Sequence, residues 1–261
     1  MELVTEITKP KFINPRTLLI YSKPKCGKTA ISSGLKNHLI LELEVGGAGY
    51  IEGRIQEINK ASEFIEVLTT IRNSPEQVCE YLIVDTVTKM DEWSEIVGTY
   101  YYMDKAQGQK FNRDARGNKL THVDKRFESV HEIGNGFGYQ HSRNVMLEWY
   151  DMLNDLISTK KVKYLILLAH IKDKLIESKS GDTVEAIDIN LTGKVKSIYA
   201  SRVDAIGYFY RKEKDGFLSF DNDYKVISGG RCSHLNGEIK ISEKQEDGSI
   251  KTFWEKIYKQ E

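Results

Sequence analysis

The sequence has few cysteines, and the three present, Cys26, Cys79 and Cys232, are far apart. An odd number without a C-x-x-C pair argues against a disulfide framework and against a cysteine-based zinc site. The histidines also lack metal-ligand spacing, so we expect no structural metal. We interpret the cysteines as free thiols in a reducing compartment.

Long apolar runs and an excess of one charge are absent as well. The longest strongly apolar run, residues 164–169, is far too short to cross a bilayer. The start, MELVTEITKPKF, lacks the features of a signal peptide. We therefore expect a cytoplasmic protein with no membrane partner. Basic and acidic side chains balance at 38 each, so DNA binding through bulk charge is not expected, although a local basic patch remains compatible with this balance.

Short apolar runs alternate with amphipathic stretches, which is the pattern of an α/β fold. Near-continuous apolar character favours parallel strands that are covered on both faces. The pattern predicts strands at residues 16–21, 39–44, 81–85 and 163–170, and helices at residues 61–73 and 142–158. We predict a mostly parallel central sheet flanked by helices.

Two regions interrupt this alternation. Residues 105–138 are polar, contain glycine and show no periodicity, which predicts a long loop or insertion. From residue 171 onward, short β-like pieces alternate with turn residues and predict an antiparallel extension. We divide the chain into a core at residues 1–210 and a small β-rich C-terminal extension at residues 211–261.

The clearest motif follows the first predicted strand. It fits the phosphate-binding template G-x-x-x-x-G-K-[ST], except that its first position is serine. Backbone N–H groups of such a loop bind phosphates, its lysine reaches the outer phosphates, and its final hydroxyl ligates Mg²⁺. This P-loop consists of Ser22, Lys23, Pro24, Lys25, Cys26, Gly27, Lys28 and Thr29.

An acid at the end of the strand YLIVD is the expected partner of the P-loop. Asp85 follows four apolar residues, and such a carboxylate completes the Mg²⁺ site with Thr29. Many motor ATPases place a glutamate directly after this aspartate to polarise the attacking water, but here the position is Thr86. Any catalytic base must therefore come from elsewhere.

Two glutamates and a histidine at other strand ends are candidates for the remaining roles. Glu44 ends the predicted strand LILELE and is the first candidate for the water-activating base, with Glu42 on the same face as the alternative. His170 ends the strand KYLILLAH. Its position suits a sensor of the γ-phosphate or a DNA contact, and an ordinary structural role remains the alternative.

In their order, the segments SKPKCGKT, LELEVGG, YLIVDT and LILLAHIKDK resemble the phage RecA-like single-strand annealing ATPases of the Sak type, and RecA core domains more broadly. The resemblance covers roughly residues 16–235. It implies a RecA-type core that uses ATP and Mg²⁺, binds single-stranded DNA and assembles as a homo-oligomer or filament. By position it gives Lys28 and Glu44 the catalytic roles. It also implies a basic residue from a neighbouring subunit, with four candidates: Lys172, Lys174, Lys194 and Arg202.

The insertion contains the best candidate DNA contacts. Residues 104–126 hold seven basic and three acidic side chains, flanked by aromatic residues. Basic groups with aromatics for base stacking are typical of sequence-independent single-strand binding. A solvated charged loop is the alternative. The candidate contacts are Lys110, Arg113, Arg116, Lys119 and Arg126.

The sequence thus favours an ATP-hydrolysing RecA-like protein acting on single-stranded DNA in recombination or annealing. A non-hydrolysing module that uses ATP to stabilise an oligomer or a DNA-bound state is the main alternative, because of Ser22 and the displaced glutamate. A small-molecule phosphotransferase is a weaker one, since no arginine-rich lid follows Asp85.

Overall fold

The structure, a computed structural model, describes residues 7, 9–120, 129–133, 136, 138–177, 183–221 and 226–260. Helices α1 to α5 span Lys28–Ser32, Ala61–Asn73, Val87–Asp104, Tyr139–Ser158 and Val195–Arg202. Strands β1 to β6 span Thr17–Ser22, His38–Glu42, Ile55–Glu57, Cys79–Asp85, Val162–Glu177 and Thr183–Ile189. Strands β7 to β11 span Ala205–Lys212, Asp215–Ser219, Gly229–Gly230, Glu238–Lys244 and Ile250–Thr252.

The described strands form one sheet in the order β11-β10-β8-β7-β1-β5-β4-β2-β3, with β6 paired to β5 and β9 to β7. Strands β7, β1, β5, β4, β2 and β3 are mutually parallel, whereas β8, β10 and β11 add to β7 as antiparallel strands. This confirms the predicted mostly parallel sheet with an antiparallel extension. The proposed boundary at residue 210 lies inside β7, so residues 211–261 extend the same sheet.

Alternation along the central strands fills one core on each face of the sheet. In β1, Leu19 and Tyr21 face the core beneath α2, α3 and α4, while Leu18 and Ile20 face the opposite core. These three helices bury apolar residues at helical spacing. In α2, for example, the buried residues are Phe64, Leu68 and Ile71. A side-chain cap adds to this stripe in α3, where the hydroxyl of Thr86 accepts from the N–H of Lys89 at 3.2 Å. Helices α2 and α4 begin without a side-chain cap at Lys60 and Gly138.

The opposite face of the sheet is covered by α1 and by the end of the chain. Trp254, Ile257 and Tyr258 are buried against this face. The indole N–H of Trp254 donates to the carbonyl of Ile31 at 2.8 Å, which ties the C-terminal segment to the P-loop helix. The sequence pattern did not indicate this contact.

The insertion contains short 3₁₀ turns at Ala106–Gly108 and Val130–Glu132. Its described parts pack against the end of α3 and the start of α4; for example, the N–H of Val130 donates to the hydroxyl of Thr99 at 3.0 Å. Within the described ranges, no helix combines the length and the apolar character that crossing a membrane requires.

Candidate nucleotide site

The P-loop leaves β1 at Ser22 with a backbone that serine accommodates. Left-handed φ angles occur instead at Lys25 (62°) and Gly27 (96°). Ser22 is fully buried, and its hydroxyl donates to the carbonyl of Lys23 at 3.0 Å. The glycine of the template is therefore replaced without backbone strain at this position.

The middle of the loop is open to solvent. The side chains of Lys23, Pro24 and Lys25 are exposed, whereas Cys26 is half-buried and packs beside the core under α1. The cysteine thus fills space at the edge of the core. The backbone of the loop remains available for an anion.

Lys28 and Thr29 each contact a residue from a different strand. The Nζ atom of Lys28 lies 3.2 Å from Nδ1 of His170, and the hydroxyl of Thr29 donates to Oδ2 of Asp85 at 2.5 Å. Burial lowers the pKa of the Lys28 ammonium, while the charges of Asp85 and Glu44 oppose that shift. The lysine is buried beside two acids, and its ammonium group lies at the P-loop.

Asp85 is the last residue of β4, and β5 separates this strand from β1. Its carboxyl group is 5% exposed, and this burial raises its pKa, while the Thr29 hydrogen bond and the Lys28 charge act in the opposite direction. One hydroxyl and one carboxylate are the oxygen donors that suit Mg²⁺ when nucleotide phosphates and water supply the other ligands. The pair fits the predicted metal site.

Strand β2 ends two residues before Glu44, whereas the predicted strand included it. The Glu44 carboxylate accepts two hydrogen bonds. Its Oε1 atom accepts from the hydroxyl of Thr86 at 2.5 Å and lies 2.9 Å from Nε2 of His170. Desolvation raises the pKa of Glu44, but the hydrogen bonds of His170 and Thr86, with the charges of His170 and Lys28, outweigh it and lower the pKa to about 2. The side chain is an ionised carboxylate at neutral pH.

His170 connects the lysine to the glutamate. The parallel register of β1 and β5 pairs it with Ser22, which places its ring beside the P-loop. A charged lysine only donates hydrogen bonds, so Nδ1 accepts from Lys28 and Nε2–H donates to Glu44. Of the three sequence interpretations of His170, a γ-phosphate sensor, a DNA contact and a structural residue, the contacts with Lys28 and Glu44 are compatible with the first.

A family model described as an AAA domain matches residues 14–232. The chain belongs to this AAA domain family. The P-loop and its partners Asp85, Glu44 and His170 all lie within the matched range, and the protein is thereby a P-loop ATPase domain. No curated protein matches the sequence. Among solved structures, the crystal structure of the RadB recombinase is similar over 92% of both chains, with 10% sequence identity and a TM-score of 0.42.

Glu42, the alternative base, has a different partner in this AAA domain. It is 3% exposed, and its Oε1 atom accepts from the backbone N–H of Ala48 at 2.5 Å. The side chain therefore holds the loop that follows Glu44. The structure does not bring it to Lys28 or Thr29.

Arg211 is a site residue that the sequence analysis missed. Its Nε–H donates to the carbonyl of Cys26 at 2.7 Å, within the P-loop. The residue is the seventh of β7 and resembles any other charged residue near a strand end. Only the register between β1 and β7 reveals its position, because that register places the end of β7 beside the loop.

The candidate DNA contacts of the insertion are only partly available. Lys119 forms an ion pair with Asp104, and the guanidinium of Arg113 donates to the carbonyls of Gln109 and Gly117. Lys110 and Arg116 are exposed. Arg126 lies outside the described residues. Of the flanking aromatics, Tyr102 packs on Phe111, whereas Tyr101 is 48% exposed.

Of the four basic residues that the resemblance suggested as acting across a subunit boundary, Lys172, Lys174 and Lys194 are exposed, and Arg202 pairs with Asp151 at 2.6 Å.

Lys194 lines a groove of about 300 Å³ at the start of α4, together with Tyr139 and Arg143. We call this the α4 groove. The ring of Tyr139 stacks on His131 and is 42% exposed.

Proposed function

We propose that this AAA domain binds ATP with Mg²⁺, hydrolyses it, and uses the cycle to act on single-stranded DNA in recombination or strand annealing. The observation that carries the proposal is one connected set of contacts. Lys28 contacts His170, His170 contacts Glu44, and Glu44 contacts Thr86, beside the pair formed by Thr29 and Asp85. This set supplies residues for binding phosphate, for holding Mg²⁺ and for orienting water.

The phosphates occupy the loop, where its backbone N–H groups and the Lys28 ammonium bind them. Thr29 and Asp85 would hold Mg²⁺, and the ion would supply positive charge to the phosphate oxygens when nucleotide is bound. Phosphate then replaces Nδ1 of His170 as the partner of Lys28. This exchange frees Nδ1, so the arrival of the nucleotide is transmitted to the histidine.

Glu44 orients and deprotonates the attacking water. Its carboxylate is ionised because hydrogen bonds from His170 and Thr86 hold its pKa low. A weakly basic carboxylate suits phosphoryl transfer, in which positioning of the water contributes more than proton abstraction. Its two hydrogen bonds also fix the direction of the carboxylate.

The DNA-contacting surface that we favour lies at the α4 groove rather than around Lys110 in the insertion. An exposed tyrosine ring supplies a stacking surface, and the side chains of Arg143 and Lys194 supply positive charge for the backbone. Strand β5 also continues from His170 to the exposed side chains of Lys172 and Lys174. His170 and these basic residues thus lie on one strand, and we propose that this strand links the nucleotide site to the DNA.

Assembly into a homo-oligomer or filament belongs to the same proposal. A basic residue from a neighbouring copy would complete the nucleotide site, and exposed Lys172, Lys174 and Lys194 remain the candidates. The similarity to phage annealing ATPases of the Sak type also supports a role on single strands.

The test is ATP hydrolysis by the wild type and by Lys28→Ala, each with and without single-stranded DNA. We expect turnover that DNA stimulates and that the substitution abolishes. Wild-type nucleotide affinity in Lys28→Ala would refute the proposed site.

The DNA surface is tested by two matched substitutions of exposed lysines. Lys194→Gln in the α4 groove should weaken single-strand binding and lower its salt dependence by about one counterion, while Lys110→Gln in the insertion should do neither. The opposite ranking would return the DNA contact to the insertion.

One observation favours a second candidate function, a non-hydrolysing module that uses ATP to stabilise an oligomer or a DNA-bound state. The Oε1 atom of Glu44 already accepts from two donors, Thr86 and His170. In this second function these contacts serve to hold Glu44 in place, and its carboxylate does not activate water. Tight ATP binding without turnover, in the presence and absence of DNA, would support this alternative.

A further inference from the structure

Strand β7 continues past the point where β1 becomes the P-loop. The last paired residues of these strands are Tyr21 and Tyr208, but β7 runs on to Lys212. Strand β8 pairs with this overhang on its other side, as far as the pair of Lys212 with Asp215. Pairing with β8 therefore fixes this overhang beside the P-loop, and residue 211 lies within the overhang.

The guanidinium of Arg211 lies directly against the loop. Its Nε–H donates to the carbonyl of Cys26 at 2.7 Å. Its Nη2 nitrogen lies 2.8 Å from the position that a β-carbon on Gly27 would take, so the guanidinium lies directly against this glycine. The left-handed φ of 96° at Gly27 is what favours glycine here.

Most of the hydrogen-bonding capacity of this group is unused. A guanidinium carries five N–H donors, and among the described residues only Nε–H of Arg211 has a hydrogen-bond partner. Arg211 also forms no ion pair with any described carboxylate. The adjacent Lys212, in contrast, pairs with Glu238 at 2.9 Å. A half-buried cation with free donors therefore stands beside the loop that receives phosphate.

We infer that Arg211 is a nucleotide-binding residue that acts within its own chain, donating from its terminal nitrogens to the phosphates of a nucleotide bound in the P-loop. Its Nε–H keeps the Cys26 carbonyl, so the same side chain fixes the loop and contacts the ligand. The planar fork of arginine suits this double role, because one edge can bind a carbonyl while the other faces phosphate oxygens. The inference rests on the proposed nucleotide site and adds a second cation to Lys28.

The experiment compares wild type, Arg211→Gln, Arg211→Lys and the control Lys212→Gln. Dissociation constants for ATP, ADP and inorganic pyrophosphate are measured at several salt concentrations. Arg211→Gln should weaken all three ligands roughly ten- to hundredfold, the range of a charge-assisted hydrogen bond, and should reduce the salt dependence of binding. Arg211→Lys should recover part of the affinity and the full salt dependence, and Lys212→Gln should match the wild type.

A role limited to bracing the loop gives a different result. In that case Arg211→Gln and Arg211→Lys lose affinity equally and the salt dependence stays at the wild-type value, which would overturn the inference. Unchanged affinity in Arg211→Gln would also overturn it while leaving the proposed function intact. Failure of the wild type to bind any of the three ligands would overturn both. Thermal unfolding of each nucleotide-free variant confirms that it is folded.

Discussion

Replacement of Glu44 by glutamine tests its proposed role as a base separately from its role as a hydrogen-bond acceptor. The Oε1 atom of Glu44 accepts from both Thr86 and His170, so a glutamine can place its own carbonyl oxygen at the same point and keep both hydrogen bonds. The substitution removes the negative charge and the basicity while the shape is preserved. Loss of turnover in Glu44→Gln would therefore report chemistry rather than a displaced side chain.

The expected loss of turnover is large, and the expected change in stability is small. A positioned general base contributes about 10²–10⁴-fold to rate, or roughly 3–5 kcal/mol of barrier. The side chain of Glu44 is 40% exposed, so solvent screening limits what its charge adds to folding stability. ATP affinity should stay at the wild-type value or rise, because a negative charge near the phosphates is removed.

The assay is single-turnover and steady-state ATP hydrolysis with single-stranded DNA, with ATP affinity measured in parallel. Glu42→Gln is the matched control, because Glu42 contacts Ala48 instead of the site, and its turnover should stay within a few-fold of the wild type. The reasoning fails if Glu44→Gln hydrolyses ATP at the wild-type rate, or if Glu42→Gln loses as much activity as Glu44→Gln.

Three further predictions follow, two from the hydrogen bonds of Glu44 and one from the bond between Trp254 and the P-loop helix. Thr86→Val removes a bond that lowers the pKa of Glu44, so the acid limb of the pH–rate profile should move to higher pH; an unchanged profile would contradict this. The depressed pKa of Glu44 also stabilises the fold fully above about pH 4.5, and this contribution is lost as pH falls towards 2. Trp254→Phe removes the bond to Ile31 and should cost about 1–3 kcal/mol, lowering the melting temperature by about 2–4 °C per kcal/mol; wild-type thermal stability would contradict it.

The parallel sheet and the P-loop could be predicted because their signals are local. Apolar runs indicate buried strands, and the P-loop motif occupies eight consecutive residues. Asp85 and His170 were identifiable for a related reason, since polar residues at the carboxyl ends of parallel strands meet at one edge of the sheet. Glu44 was a sequence candidate as well, and the structure brings it to His170 and Thr86, although the strand ends at Glu42 and the glutamate lies in the bend that follows.

The remaining features depend on pairings between distant parts of the chain. Arg211 reaches the loop only because β7 pairs with β1 in one register, and nothing near residue 211 in the sequence indicates that pairing. The α4 groove likewise joins Tyr139 to Lys194, which are separated by β5 and β6. The pairing of Lys119 with Asp104 depends on how the insertion folds back on α3, which its irregular sequence does not specify.

The contact between Trp254 and Ile31 has a consequence for the order of folding during synthesis. The two residues are 223 positions apart, whereas Thr29 meets Asp85 after 56 positions and Lys28 meets His170 after 142. At about 5–20 residues per second, the ribosome takes roughly ten to forty-five seconds to supply the tryptophan once Ile31 has been made. Asp85 and His170 are therefore made well before Trp254, and the P-loop can contact them before the indole reaches its helix. Until Trp254 is made, the Ile31 carbonyl of the P-loop helix lacks this hydrogen-bond donor.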